Sequence, residues 1–241
     1  MELPRLYAIL DVRCFADAAA LLLAAEELAA AGVTLIQYRN KSGNARRMLE
    51  DACELRRRFA HADVARLTHP NVAKDATLEW GTRRLAHPVA ENATRVGQPA
   101  VQLIMNDRAD LCLAANFDGV HVGQDDLSAE SVRKIIGPER WLGVSTHNPE
   151  QLREADLTSA DYLAIGPVFA TSSKEKPDPV VGLDGVRRAR ALTRKPLVAI
   201  GGITRANAAS VIEAGADSVA VISDLLRDPR ESAEEFFRVL R

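Results

Sequence analysis

Short apolar runs recur along the 241 residues with helical segments between them, and this alternation constrains the fold more than any other feature. In the first half the runs are Leu6–Leu10, Thr34–Tyr38, Gln102–Met105 and Gly119–Val122. In the second they are Trp141–Ser145, Tyr162–Ile165, Leu197–Ile200 and Ser218–Ile222. About eight strand-then-helix units is the number that closes a TIM barrel. The expected fold is therefore α/β, a single (β/α)8 barrel domain over residues 1–241, with a doubly wound open sheet as the competing arrangement. Capping chemistry agrees with the alternation. Asp17 is placed to open the first helix, and Gly32, Gly137 and Gly215 stand where helices should end.

One stretch falls outside the pattern. Residues from about His61 to Gln98 interrupt the chain between the second helix and the third strand, an insertion at about 62–97. In a barrel such a connection lies on the N-terminal face, opposite the face where active sites form. Its histidines, His61, His69 and His87, lack HxxxH or HExxH spacing and read as surface residues.

Composition narrows the function classes. A net charge of -2 with 27% charged residues gives no broad pull toward nucleic acid or anionic membrane, so any anion site must be local. Cys14, Cys53 and Cys112 show no CxxC and no metal-ligand spacing with histidine, which fits a reducing cytoplasm. The opening Met1-Glu2-Leu3-Pro4 has no basic stretch leading into an apolar one. The Ala/Leu-rich run of residues 16–31 is broken by Asp17, Glu26 and Glu27 and reads as a soluble amphipathic helix.

The chemistry gathers where strands end. Gln37-Tyr38-Arg39-Asn40-Lys41 closes the second strand, and alternation sends Gln37, Arg39 and Lys41 to one side. By spacing alone this is either an anion site or a solvated basic loop. Asn106-Asp107-Arg108 follows the third strand and Gly123-Gln124-Asp125-Asp126 the fourth. Taken singly, Asp107 reads as the cap of a helix near Ala109, and Asp125 or Asp126 as the cap of one near Ala129. Taken together beside a basic strand end, two carboxylates form the arrangement that holds Mg²⁺ while diphosphate oxygens complete its octahedron.

A second anion site is expected across the rim. Ile200-Gly201-Gly202-Ile203 follows the seventh strand and Ser223 the eighth, the recurrent phosphate grip of TIM barrels. The alternative is that the glycines only make a tight turn. Between the two sites lie Ser145 and the stretch Gly166 to Gly182, where Thr171-Ser172-Ser173-Lys174 sits among prolines. This stretch reads as a covering loop whose hydroxyls and Lys174 close over bound phosphate.

In this order these residues resemble thiamine phosphate synthases. The match runs through Gln37-x-Arg39-x-Lys41, Asn106-Asp107-Arg108, His121-Val122-Gly123-Gln124-x-Asp126, Gly143-Val144-Ser145-Thr146-His147, Gly166-Pro167-Val168-Phe169 and Ala199-Ile200-Gly201-Gly202-Ile203. It covers nearly the whole chain except residues 62–97. The resemblance implies a transferase that joins 4-amino-5-hydroxymethyl-2-methylpyrimidine diphosphate to hydroxyethylthiazole phosphate, or its carboxylate form, giving thiamine monophosphate and diphosphate.

Residue by residue, the resemblance assigns Mg²⁺ to Asp107 and Asp126. It assigns the pyrimidine diphosphate to Gln37, Arg39, Lys41, Asn106, Ser145 and Lys174, with Tyr38 and Asn40 in the same run. The thiazole phosphate falls to Thr171, Ser172, Ser173, Gly202, Ile222 and Ser223, and His121 is placed as a pocket residue. Arg39, Lys41 and Lys174 take the catalytic role of meeting charge on the leaving oxygen. The implied partners are these small molecules, with no nucleic acid and no membrane, and the oligomeric state stays open, a homo-oligomer included.

The chain departs from the family in Leu10 before Asp11, where a threonine is usual, in Ala170, where a proline is usual, and in the insertion. Two other readings stand beside the synthase. One is a thiazole tautomerase of the same superfamily, which keeps the phosphate grip but needs no metal-diphosphate site. The other is a catalytically silent binder of thiazole phosphate.

Overall fold

The computed structural model describes residues 3–59, 100–171 and 178–241. Eight parallel strands are β1 (Leu6–Asp11), β2 (Leu35–Arg39), β3 (Gln102–Asn106), β4 (Gly119–Val122), β5 (Trp141–Thr146), β6 (Tyr162–Ile165), β7 (Leu197–Ile200) and β8 (Ser218–Val221). They close into a barrel in sequence order, with β8 pairing back onto β1 at Leu6 with Val219. That closure excludes the open sheet. Helices follow the strands as α1 (Ala18–Ala30), α2 (Ala45–Arg58), α3 (Ala109–Ala114), α4 (Ala129–Ile136), α5 (Pro149–Asp156), α6 (Gly182–Leu192), α7 (Ala208–Glu213) and α8 (Pro229–Val239). The insertion at about 62–97, with His61, His69 and His87, lies outside the described residues.

Two cores follow from the period of two along each strand. Leu6, Ala8 and Leu10 of β1, Ile36 and Tyr38 of β2 and Leu103 and Met105 of β3 face outward and pack under the helices. Tyr7, Ile9, Leu35, Ile104, Tyr162, Ala164, Val198 and Ala220 alternate with them and fill the barrel interior. Because both faces are covered, the strands read as continuous apolar runs. From α1, Leu21, Leu22, Ala25 and Leu28 join the outer core. Each such fully buried leucine contributes about 2 kcal/mol. No described helix is long and apolar enough to cross a membrane.

Asp17 caps α1, its carboxylate accepting from the Ala20 N–H at 2.9 Å. Gly32, Gly137 and Gly215 follow helices with positive φ. The two capping alternatives for the rim aspartates do not hold. Arg108 flanks α3 without a side-chain cap, and α4 is capped by Ser128. Asp107 and Asp126 are therefore not committed to helix ends.

The N-terminal face carries a repeated clamp. Asp118, Asp161 and Asp217 immediately precede β4, β6 and β8, and each accepts the N–H of a residue in the preceding strand, Leu103, Leu142 or Leu197, at 2.7 Å. Each also pairs with an arginine of an even-numbered helix, Arg56 at 2.6 Å, Arg133 at 2.6 Å and Arg190 at 2.8 Å. The clamp thus recurs every second strand and ties strand to helix on the face away from the site. It has a sequence trace, an aspartate directly before alternate apolar runs.

Candidate active site

All eight strands point the same way, so residues at their C-terminal ends share one rim. At the end of β2, Gln37 points into the barrel and donates to the Tyr7 hydroxyl at 2.8 Å. Arg39, two residues on, donates to Asp11 at the end of β1. Asp11 is buried and also accepts from Arg13, at 3.1 Å from its backbone N–H and 2.9 Å from its guanidinium. Burial pushes the Asp11 carboxyl up, but Arg13 and Arg39 more than offset this and hold it below the usual carboxylate range. Arg39 is thereby oriented before any ligand arrives. Asp11 and Arg13 were not among the expected site residues, although an acid ending the first strand is visible in the sequence.

Alternation separates the rest of that run. Tyr38 and Asn40 face outward: the Tyr38 hydroxyl donates to Asp51 of α2 at 3.0 Å, and Asn40 Nδ2 donates to Tyr38 at 2.9 Å. Both side chains are buried in this layer, on the side of the strand opposite Gln37. Their effect is to anchor the strand end against α2.

Beyond β2, Lys41 Nζ lies 2.5 Å from Asp107 Oδ2. Asp107 follows β3 with φ of 63°, a left-handed conformation that costs a non-glycine residue energy and persists only where its surroundings enforce it. Its N–H donates to the His121 carbonyl at 2.8 Å. Asp126 reaches back to accept the Gly123 N–H at 2.8 Å. The two carboxylates are neighbours. Burial raises the Asp107 carboxyl above its ordinary range, Asp126 adds to the rise, and Lys41 opposes it. A half-buried pair of acids, one of them paired with Lys41, is a donor set suited to a divalent cation, and two carboxylates is the number Mg²⁺ takes when phosphate and water fill the rest.

Asn106 points inward beside them. Its Nδ2 is buried with no partner among the described residues, so it is a donor available to a ligand. His121 of β4 lies deeper, its Nδ1 3.1 Å from the Tyr162 hydroxyl and its Nε2 2.8 Å from Ser145 Oγ. Complete burial pushes its imidazole down to about 4, although Asp126 works the other way, so it is neutral near pH 7. The His121 and Tyr162 rings stack with centroids 5.5 Å apart. Gly143 makes this possible, because a Cβ there would sit 2.1 Å from Tyr162 Cζ and 2.4 Å from His121 Nδ1.

Across the rim, Gly201 and Gly202 follow β7 with φ of 97° and 64°. A Cβ on Gly202 would come within 2.5 Å of the Ala170 carbonyl, so these glycines serve close packing of the loop after β6 as well as the turn. Strand β8 ends at Val221, one residue earlier than expected, and Ile222 begins the turn, its carbonyl accepting from Leu225 and Leu226 at 3.2 Å. Ser223 follows on the same rim. Thr171 is half-buried on the loop after β6, while Ser172, Ser173 and Lys174 lie outside the described residues.

The thiamine monophosphate synthase family model matches residues 74–225. The thiamine-phosphate synthase of Koribacter versatilis is 53% identical over 243 residues, covering 100% of this chain and 97% of that protein. That of Chloroflexus aurantiacus is 42% identical, covering 80% of this chain and 71% of its own. Among solved structures, a thiamine phosphate pyrophosphorylase from Pyrococcus furiosus superposes with a TM-score of 0.72 at 28% identity, over 98% of this chain and 95% of that one.

Proposed function

The chain belongs to the thiamine monophosphate synthase family, and from this premise we propose that it joins 4-amino-5-hydroxymethyl-2-methylpyrimidine diphosphate to hydroxyethylthiazole phosphate, or its carboxylate form, at this rim. It is a transferase of thiamine biosynthesis that forms thiamine phosphate. Its partners are the small-molecule substrates, and the cytoplasm is the compartment that fits them.

Asp107 and Asp126 would hold Mg²⁺. Bound there, the ion supplies neutralisation of the diphosphate oxygens and so eases their departure. The chain's own residues do the rest. The bond between the pyrimidine methylene carbon and the bridging oxygen breaks with its electron pair going to oxygen, where Arg39 and Lys41 meet the growing charge. Lys174 is assigned to the same charge from the covering loop. The amino-substituted pyrimidine delocalises the resulting cation, and the thiazole nitrogen gives its lone pair to the methylene carbon. That nitrogen carries no proton, so the step needs no general base. Neutral His121 is suited to orienting rather than to taking a proton. Gln37, Asn106 and Ser145 bind the pyrimidine diphosphate side, and Thr171, Ser172, Ser173, Gly202, Ile222 and Ser223 the thiazole phosphate side.

The observation that carries this reading is the acid pair Asp107 and Asp126 with Lys41 against it, a site a tautomerase does not require. The test is the coupling reaction with each substrate alone and with both. Thiamine phosphate and diphosphate are expected in equal amounts only with both. Thiazole isomerisation without coupling would favour the tautomerase, and binding without either reaction would favour the silent binder.

A further inference from the structure

A continuous chain of hydrogen bonds crosses the barrel interior beneath the rim. Gln37 Nε2 lies 2.8 Å from Tyr7 Oη, Tyr7 Oη lies 3.1 Å from Tyr162 Oη, Tyr162 Oη lies 3.1 Å from His121 Nδ1, and His121 Nε2 lies 2.8 Å from Ser145 Oγ. Its members come from β2, β1, β6, β4 and β5. All but Ser145 are buried, so water does not complete the links. Each hydroxyl has one proton to give, and a neutral imidazole has one N–H. With the proton on His121 Nε2 every other link is fixed, whereas with it on Nδ1 the links beyond Tyr162 can run more than one way, because a hydroxyl can accept twice.

In one, Gln37 donates to Tyr7, Tyr7 to Tyr162, and Tyr162 to His121 Nδ1. His121 Nε2–H then donates to Ser145, whose own proton is left for the rim. In the other, Ser145 donates to Nε2 and His121 Nδ1–H to Tyr162, and the links from Tyr162 to Gln37 are free to run either way. Heavy-atom positions suit both.

The outer end decides between them. There, on the function proposed above, Ser145 meets a diphosphate, which only accepts. A serine that had spent its proton on His121 would turn a lone pair toward those oxygens. We propose that the chain runs from Gln37 to Ser145, and that Tyr7 and Tyr162 are positioning residues that fix His121 as the Nε2–H tautomer so that Ser145 donates to the diphosphate. The surroundings hold the links in register. Burial raises both phenols far above neutrality and keeps their protons on. The Gly143 gap admits the stacked rings, and Gln124 Nε2 donates to the Ser145 carbonyl at 2.6 Å and fixes that strand end.

The direction is open to measurement without turnover, with Mg²⁺ and inorganic diphosphate bound. Nitrogen-15 NMR of protein labelled at histidine, with His121 assigned by the signal lost in His121→Asn, should show a pyridine-type Nδ1 and a pyrrole-type Nε2. Gln37→Glu at alkaline pH places an acceptor-only carboxylate at the head of the chain and should invert the tautomer to Nδ1–H. Tyr162→Phe keeps the ring stack but cuts the link. It should give a mixture of tautomers and raise KM for the pyrimidine diphosphate about tenfold, with KM for the thiazole phosphate unchanged. An Nδ1–H tautomer in the wild type would overturn the proposal, as would an unmoved His121 signal in Gln37→Glu or in Tyr162→Phe. If the substrates proved to be others, the kinetic arm would fail while the NMR arm still reported the direction.

Discussion

The Lys41 ammonium, from the end of one strand, lies 2.5 Å from the Asp107 carboxylate at the end of the next. In the substrate-free protein it competes with any divalent cation for that carboxylate, and once diphosphate is present it becomes a partner of the anion. Lys41→Ala should therefore act in opposite directions. Binding of Mg²⁺ alone, followed by calorimetry without substrate, should tighten. Its kcat/KM for the pyrimidine diphosphate should fall about 100-fold, the loss typical of one group that meets transition-state charge. Weaker Mg²⁺ binding in the variant would contradict the competition.

Asp107 and Asp11 should respond oppositely to pH. The Asp107 carboxyl is raised in the folded protein, chiefly by burial, so its ionised form costs stability, and this cost grows as pH rises through the raised value. Asp11 is lowered, so its contribution is complete above the ordinary carboxylate range and is lost as pH falls through its depressed folded value. Near neutral pH, thermal melts should show Asp107→Asn more stable than the wild type and Asp11→Asn less stable. The two differences should shrink in acid. The same raised carboxyl makes Mg²⁺ binding to the free protein weaken on acidification sooner than an ordinary aspartate would.

Gly143→Ala places a methyl group where Tyr162 and His121 already sit. Overpacking of this kind costs about 1–3 kcal/mol. Denaturant unfolding should show that loss together with a fall in turnover, because the displaced ring is the one that holds His121. Unchanged stability would mean that the interior gives way more easily than its close contacts imply.

Asp161→Ala provides the contrast. Its carboxylate accepts from the Leu142 N–H and from Arg133 on the N-terminal face, so its loss should cost about 2 kcal/mol in unfolding experiments. Both KM values and kcat should stay as in the wild type, since Leu142 N–H and Arg133, the partners of Asp161, lie on the face opposite the rim.

The strands were legible because both of their faces are buried, which makes each one an unbroken apolar run such as Tyr162–Ile165. The rim was legible because strand ends and polar residues coincide, as at Arg39 and Asn106. Alternation also separates Gln37, whose partner is Tyr7 inside the barrel, from Tyr38 and Asn40, whose partners lie toward α2. Helix-cap preferences pointed at Asp107 and Asp126, whereas Arg108 and Ser128 take those positions, because tertiary pairing at the rim outweighs a local cap. The link between Tyr7 and Tyr162 joins residues 155 apart in sequence, and no local pattern marks either phenol as polar machinery within an apolar strand. Asp11 was overlooked for a similar reason, since its partner Arg39 comes from the following strand.

The most direct test is turnover in protein stripped with EDTA, with Mg²⁺ then titrated back and both substrates present. The stripped wild type should form no thiamine phosphate and recover fully with Mg²⁺, while Asp107→Ala and Asp126→Ala should fail to recover at the same concentrations. Full turnover by the stripped protein, or recovery of both variants to wild-type rates, would contradict the assignment of the diphosphate site to this acid pair.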